Sequence, residues 1–212
     1  MRFSILATFI LLGSTALLSQ SWVSTSDQLS AIQTFRELLS IPNDANYPDD
    51  IEKNVQWCEQ SFADIGFTTK RLPTTTLPLL LAEYSGNKLQ KETVLVYLQV
   101  DGQPVDPSFW WQKDPYTAVL KEQTTDGDWK EINWDLISEE MNLDWRIFAR
   151  SASDAKGPVA MFIKAIEIIR RENLEIPFNL KVIMDFEEEL GSPRLPGAVE
   201  QYKEELSADH MV

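Results

Sequence analysis

Apolar residues along the chain recur with two periodicities, one typical of helices and one typical of strands. Amphipathic helices are predicted over 24–39, 50–65, 157–171 and 196–206. Shorter runs rich in β-branched and aromatic residues predict strands over 67–71, 79–84, 93–100, 145–148 and 179–186. Strands that alternate with helices favour right-handed crossovers. The sequence therefore predicts an α/β fold, with a mostly parallel sheet covered by helices on both faces.

Three details make this prediction specific. The run from Thr93 to Val100 is almost continuously apolar, which is typical of a strand buried on both faces of a parallel sheet. The stretch from Asp106 to Asp144 is polar and is predicted to be a long connection. In the third helix the residues predicted to face the core are Met161, Phe162, Ala165, Ile166 and Ile169.

The first 21 residues have the pattern of a signal peptide. Arg2 precedes an apolar run from Phe3 to Leu18, and the small residues Ser19 and Ser21 precede a cleavage point before Trp22. The alternative is a membrane anchor, but the apolar run is shorter than the roughly 20 residues that a spanning helix needs. We therefore expect a cleaved signal peptide over residues 1–21. The mature protein should be exported, either periplasmic or secreted, and without a stable membrane anchor.

Charge and composition exclude several classes of protein. The chain has 33 acidic and 19 basic residues, a formal net charge of −14, so nucleic acid is not expected as a partner. Cys58 is the single cysteine, which rules out an intrachain disulfide and a thiolate metal cluster. His210 is the single histidine and lies near the last residue, which argues against a Ser-His-Asp triad and against a site with several histidines.

Polar clusters follow three of the predicted elements, where an α/β fold usually carries its chemistry. The clusters are 99–104, 153–157 and 187–192. Each has a simpler explanation alone: Asp101-Gly102 could be a turn, Asp154 could cap its helix, and 187–189 could be a solvated charge run. Carboxylates gathered at strand ends repel one another unless a cation or a shared proton holds them. The three together therefore favour a site for a divalent cation such as zinc, manganese or magnesium.

These clusters resemble the motifs of the zinc-dependent metallopeptidase and deacylase family that includes acetylornithine deacetylase, succinyl-diaminopimelate desuccinylase, carnosine-type dipeptidases and bacterial glutamate carboxypeptidase. The family pattern is His-x-Asp-x-x-Pro, a Trp, Asp-Pro-aromatic, Gly/Ser-x-x-Asp-x-Lys-Gly and Glu-Glu-x-Gly-Ser. The matching segments, in order, are Gln99 to Pro104, Trp111, Asp114-Pro115-Tyr116, Arg150 to Gly157 and Glu188 to Ser192. The resemblance covers the chain from about Gln28 onward and implies a zinc exopeptidase-like fold.

The resemblance implies a role for each matching residue. Asp154 would bridge two metal ions and Glu189 would bind one of them, while Glu188 would be the general base. Asp101 would orient the ligand two residues earlier. Zn²⁺ is the implied metal, with Co²⁺ or Mn²⁺ as substitutes, and the peptide bond after Asp154 would be cis. We further expect the carboxylates of Asp101, Asp154 and Glu189 to lie within metal-bridging reach.

The implied activity is hydrolysis of amide bonds in dipeptides, C-terminal residues or N-acyl amino acids. The sequence departs from the family pattern in two ways that bear on this activity. Gln99 stands where the family has a histidine ligand, and an amide oxygen is a poor zinc ligand beside imidazole. The chain also ends before the family's lid and dimerisation domain and its last ligands. We therefore expect residues 22–212 to be the amino-terminal part of a catalytic domain whose full-length form is a homodimer.

Three interpretations of these departures stay open. The 212-residue chain would show no appreciable turnover by itself if it is an incomplete catalytic domain. A non-catalytic binding or interaction protein that keeps the scaffold is the alternative from a different class. A hydrolase with a single tightly held metal is the third. Metal content and the activity of the full-length gene product distinguish them.

Overall fold

The computed structural model describes residues 23–85 and 92–212. Its helices are α1 (Thr25–Leu39), α2 (Pro48–Asp64), α3 (Leu136–Glu139), α4 (Lys156–Arg171), α5 (Leu195–Gln201) and α6 (Lys203–Leu206). Its strands are β1 (Thr68–Leu72), β2 (Leu79–Tyr84), β3 (Thr93–Gln99), β4 (Val119–Gln123), β5 (Trp129–Ile132), β6 (Arg146–Phe148), β7 (Asn179–Asp185) and β8 (His210–Met211). Short 3₁₀ helices span Pro107–Phe109 and Glu188–Leu190. The predicted signal peptide lies outside the described residues.

The main sheet has the strand order β1-β2-β7-β3-β8. β3 pairs in parallel with β7 and β8, whereas β1–β2 and β2–β7 are antiparallel. The α/β class is confirmed, but the sheet is mixed rather than mostly parallel. β1 and β2 are joined by the short loop 73–78, and a parallel pairing would need a much longer crossover.

Helices cover both faces of this sheet, as predicted. The larger core lies between α1, α2 and α4 and one face, where Phe62, Val159 and Val182 are fully buried. The smaller core lies between α5 and α6 and the other face, and it includes Ile183, Ala198 and Leu206. Neighbouring residues of β7, Val182 and Ile183, therefore point into different cores, as the alternation of a strand requires.

The sequence signals for α1 and α2 correspond to real helix ends. Ser24 and Asp27 form a reciprocal capping box at the start of α1, in which each side chain bonds the other's backbone N–H. Pro48 opens α2, where its missing N–H costs nothing. Gly66, with φ of 88°, follows the end of α2 in the left-handed conformation that glycine commonly adopts after a helix.

The prediction for the buried side of α4 is wrong at two positions. Met161 is 66% exposed and Ala165 is also exposed, whereas Val159 and Ile163 are buried. Met161 and Ala165 line an apolar groove of about 790 Å³ between α1 and α4, together with Ile32 of α1. Apolar residues surround more of α4 than the core can cover, so the periodicity alone did not select the buried side.

The predicted polar connection is in fact largely structured. β4 lies between β5 and β6 in a separate antiparallel sheet, and β6 therefore does not join the main sheet. The sequence of β4 lacks the usual alternation of apolar and polar residues, because the charged residue Lys121 occupies a buried position. Its amine lies 5.0 Å from the centre of the Trp111 ring and 4.6 Å from that of Phe148, so aromatic faces replace water around it.

β3 is less buried than its apolar sequence predicts. Only Leu95 among its residues is buried, and β8 pairs with two positions of its outer edge. His210 of β8 pairs with Val94, at the end of β3 opposite to Gln99, so it is distant from the predicted site. Among the described residues, no helix is long and apolar enough to cross a membrane.

Candidate active site

The predicted site residues gather where β3 and β7 end side by side. Gln99 is in register with Asp185 in the parallel pair, and the backbone N–H of Val100 donates to the carbonyl of Asp185 at 2.9 Å. The segment containing Asp101 and the segment containing Glu188 therefore leave the sheet at the same edge. This is the edge at which open α/β sheets bind their ligands.

Asp101 joins these two segments. Its carboxylate oxygens accept hydrogen bonds from the backbone N–H groups of Glu188 and Glu189, both at 3.0 Å, and its side chain is fully buried. Burial raises the pKa of Asp101 to about 6, although the two backbone donors oppose this change. The structure thus shows Asp101 fixing the Glu188–Glu189 turn, whereas the resemblance implied that it orients residue 99.

Asp185 is a second buried carboxylate, and the sequence analysis did not single it out. It accepts hydrogen bonds from the hydroxyl of Ser192 at 2.6 Å, the hydroxyl of Tyr97 at 3.1 Å and the backbone N–H of Glu187 at 2.9 Å. These bonds tie both ends of the acidic turn to β3 and β7. An acidic residue inside the apolar run 180–186 was the signal that could have identified it.

The loop that carries Asp154 is fixed by a buried lysine. Lys156 donates from Nζ to the carbonyls of Leu38 at 2.8 Å and Ile41 at 2.5 Å, at the end of α1. Its side chain is fully buried, and burial lowers the pKa of Lys156 to about 7. The peptide bond between Asp154 and Ala155 is cis, which confirms the prediction.

A close contact between loops makes glycine necessary at position 102. A Cβ atom there would lie 2.2 Å from the hydroxyl of Ser151. Asn43 fills the same junction, since its amide donates to the carbonyl of Val100 at 2.7 Å and to Ser151 at 3.0 Å. The loop after β3 and the loop before α4 therefore have little freedom to move apart.

Glu188 is the acidic residue whose pKa the other site carboxylates raise. Desolvation raises the pKa of Glu188 above its ordinary value, and the negative charges of Glu189, Asp154 and Asp185 raise it further. The charge of Asp154 thus reaches the acidic turn, and the hydrogen bonds from the backbone of this turn to Asp101 add the remaining polar cluster. A carboxylate with a raised pKa in such surroundings is suited to exchanging protons with a substrate.

Two glutamine amides contact the two predicted metal ligands. Nε2 of Gln99 lies 2.7 Å from Oδ1 of Asp154, and Nε2 of Gln103 lies 2.5 Å from Oε2 of Glu189. Both bonds are exposed at the edge of the sheet. The structure therefore brings Gln99, Asp154 and Glu189 to one site, but through hydrogen bonds between amides and carboxylates.

The described residues do not by themselves fit a zinc centre. Within 23–85 and 92–212, no three His, Cys, Asp or Glu side chains form a group that could hold a metal ion. The prediction that Asp101, Asp154 and Glu189 all lie within metal-bridging reach is therefore wrong. Asp101 faces two backbone N–H groups and is fully buried, so its oxygens are not free for a cation.

An acidic turn clamped by a buried aspartate, at the carboxyl end of a mixed sheet, defines a carboxylate site in an α/β protein. Residues 118–211 match the model of Peptidase family M20/M25/M40. The matched range includes Asp154, Lys156, Glu188 and Glu189, while Gln99 and Asp101 precede it. Residues 118–211 are therefore similar to part of an M20 peptidase family domain.

Individual relatives agree with this assignment. The Beta-Ala-His dipeptidase of Mus musculus is 31% identical over 137 residues, which are 64% of this chain and 23% of the mouse protein. The Cys-Gly metallodipeptidase of Schizosaccharomyces pombe is 30% identical over 131 residues, which are 62% of this chain and 23% of the yeast protein. The match thus spans less than a quarter of each curated relative.

A solved structure extends the likeness to most of the described fold. The M20 family metallo-carboxypeptidase Sso-CP2 from Sulfolobus solfataricus matches with a TM-score of 0.68 and 28% identity. The match covers 86% of this chain and 36% of that protein. The resemblance derived from the sequence motifs is therefore confirmed, and so is the α/β fold with helices on both faces.

Proposed function

We propose that the protein containing this chain is a metal-dependent hydrolase of dipeptides and that Glu188 is its general base. The family match and the relatives named as dipeptidases support the reaction class. The observation that carries the residue assignment is the position of Glu188. Its backbone is held by Asp101, and its pKa is raised by burial and by the surrounding carboxylates.

The chemistry of Glu188 follows from these two properties. Its carboxylate would accept a proton from the water that attacks the carbonyl carbon of the peptide. It would then deliver that proton to the amine nitrogen as the C–N bond breaks. A raised pKa brings the pKa of the carboxyl group closer to the pKa values of the water and the amine with which it exchanges the proton. Asp101 and Asp185 act by fixing the turn on which Glu188 lies.

Asp154 and Glu189 are the residues proposed to face a metal ion. Asp154 and Glu189 are oxygen donors of the type that divalent cations bind, but a cation would need ligands beyond the residues described. Zinc as the resident metal is a proposal that rests on the family. Dimerisation, cleavage of residues 1–21 and export also stay predictions.

A non-catalytic relative is the second candidate, and one observation favours it. Gln99 replaces the family's histidine and donates to Asp154, which is the predicted bridging ligand. A protein that had lost its metal could keep the scaffold in this way and bind peptides without cleaving them.

Hydrolysis of a dipeptide panel distinguishes the two candidates. The panel would include Beta-Ala-His and Cys-Gly and would be assayed with Zn²⁺, Mn²⁺ or Co²⁺, in the protein in which this chain occurs naturally. The proposal expects hydrolysis that a chelator abolishes and added metal restores. Absence of hydrolysis with every metal, together with retained binding of the same peptides, would support the non-catalytic alternative.

A further inference from the structure

The contacts of Gln99 and Gln103 indicate how this site differs from an open metal centre. Gln99 is the last residue of β3 and Gln103 lies in the loop that follows, and each donates to one of the two carboxylates assigned as ligands. Asp154 comes from the loop before α4 and Glu189 from the turn after β7. The two amides therefore link three separate segments of the chain.

The direction of each hydrogen bond is fixed by chemistry. An ionised carboxylate can only accept hydrogen bonds, so an amide group within 2.7 Å of Asp154 must present its NH₂ group. The amide oxygen of Gln99 then points away from Asp154. The same reasoning applies to Gln103 and Glu189. Neither glutamine can offer its oxygen to a cation that its carboxylate partner also holds unless the side chain turns over.

A cation that bound Oδ1 of Asp154 or Oε2 of Glu189 would therefore compete with these hydrogen bonds. Hydrogen bonds between a neutral donor and a charged carboxylate are stronger than those between neutral groups, so they compete with metal binding. A neutral amide oxygen would be a weaker ligand than the imidazole that it replaces. Both effects lower the cation affinity of Asp154.

We propose that Gln99 and Gln103 act as an amide clamp that holds Asp154 and Glu189 in place without a cation. Gln99 is the residue that sets the low cation affinity of the site. The proposal rests on the assignment of Asp154 and Glu189 as the metal-facing carboxylates, but it does not require that the protein hydrolyses peptides. It makes cation binding at Oδ1 of Asp154 and Oε2 of Glu189 conditional on opening the clamp.

Titration of the 212-residue chain with Zn²⁺ by calorimetry tests the clamp. The variants are Gln99→His, which installs imidazole, and Gln99→His combined with Asp154→Asn, which removes its carboxylate partner. Gln123→His is the matched control, because Gln123 is also the last residue of a strand but donates to the carbonyl of Gly127 at 3.0 Å. Circular dichroism of each variant checks that the fold is intact.

The clamp predicts that Gln99→His binds Zn²⁺ at least about tenfold more tightly than the wild type. Gln123→His should match the wild type, and Asp154→Asn should remove the gain. In the Gln99→His background, Gln103→Leu should tighten Zn²⁺ binding further by freeing Glu189. Stoichiometric wild-type binding as tight as that of Gln99→His would overturn the proposal, and so would an unchanged affinity in folded Gln99→His.

This titration separates the clamp from the proposed function. It measures affinity and needs no turnover, so failure of the hydrolase proposal would leave its result unaffected. Tight binding of Zn²⁺ by the wild type would contradict the clamp while strengthening the case for a metallohydrolase.

Discussion

Replacement of Asp101 by asparagine perturbs the residue that joins the two halves of the site. The two side chains have nearly the same shape, but asparagine offers one accepting oxygen where aspartate offers two. One of the two N–H groups, from Glu188 or Glu189, therefore loses its acceptor. Leaving a buried donor without a partner costs about 1–3 kcal/mol.

The cost of this substitution should depend on pH, and the sign follows from the pKa of Asp101. Burial raises the pKa of Asp101 from 3.8 to about 6 in the folded protein. Between these values the folded state binds more protons than the unfolded state, so the contribution of Asp101 to stability is largest at low pH. It falls as the pH rises through 6. Integrating between pH 4.5 and pH 7 gives a loss of about 2 kcal/mol.

The assay is urea unfolding of the wild type and Asp101→Asn at pH 4.5 and pH 7. The free-energy gap between the two proteins should be about 2 kcal/mol larger at pH 4.5 than at pH 7. Asp126→Asn, in an exposed turn, is the control and should show no such change. A gap that stays constant or widens towards pH 7 would refute the description of Asp101 as a buried carboxylate with a raised pKa.

Lys156→Met and Phe62→Ala test the buried interior of the protein, and Phe109→Ala is a surface control. Lys156→Met removes a buried amine whose pKa is lowered to about 7, so the unfolded state binds the extra proton between pH 7 and 10.5. Urea unfolding measures the difference in the free energy of unfolding between the wild type and this variant. The difference should grow in favour of the wild type by up to about 3 kcal/mol between pH 7 and 9.5. A decrease over this range would contradict the burial of Lys156. Phe62→Ala removes a fully buried ring whose centre lies 5.3 Å from the centre of the Phe67 ring. The substitution should destabilise the protein by about 3–5 kcal/mol. Phe109→Ala, at a ring that is 88% exposed, should change stability by less than about 0.5 kcal/mol, and similar losses in both variants would contradict the assigned core.

Much of the main sheet and its helices could be predicted from the sequence because local signals agree with the fold there. The capping box at Ser24, Pro48 at the start of α2 and Gly66 after its end correspond to observed helix ends. The second sheet could not be predicted in this way. Lys121 occupies a buried position of β4, and aromatic rings replace the apolar neighbours that strand periodicity assumes.

For the site, the sequence indicated which residues converge but not how they are bonded. The hydrogen bonds of Asp101 to the acidic turn and of Gln99 to Asp154 bring the three polar clusters together. The sequence could not show that Asp101 bonds the backbone of Glu188 and Glu189. The segments are more than 80 residues apart along the chain, and local sequence patterns do not specify such long-range contacts. The donation from Gln99 to Asp154 depends on side-chain orientation, which residue types alone do not specify.

Dipeptide hydrolysis by Glu188→Gln tests the central assignment most directly. The measurement is kcat/KM in the naturally occurring protein with saturating metal, with metal content determined on the same sample. Glu204→Gln, at an exposed position of α6, is the matched control. If Glu188 is the general base, its variant should keep its metal and lose about 10²–10⁴-fold in kcat/KM, while the control matches the wild type. Turnover by Glu188→Gln within about tenfold of the wild type would contradict the assignment.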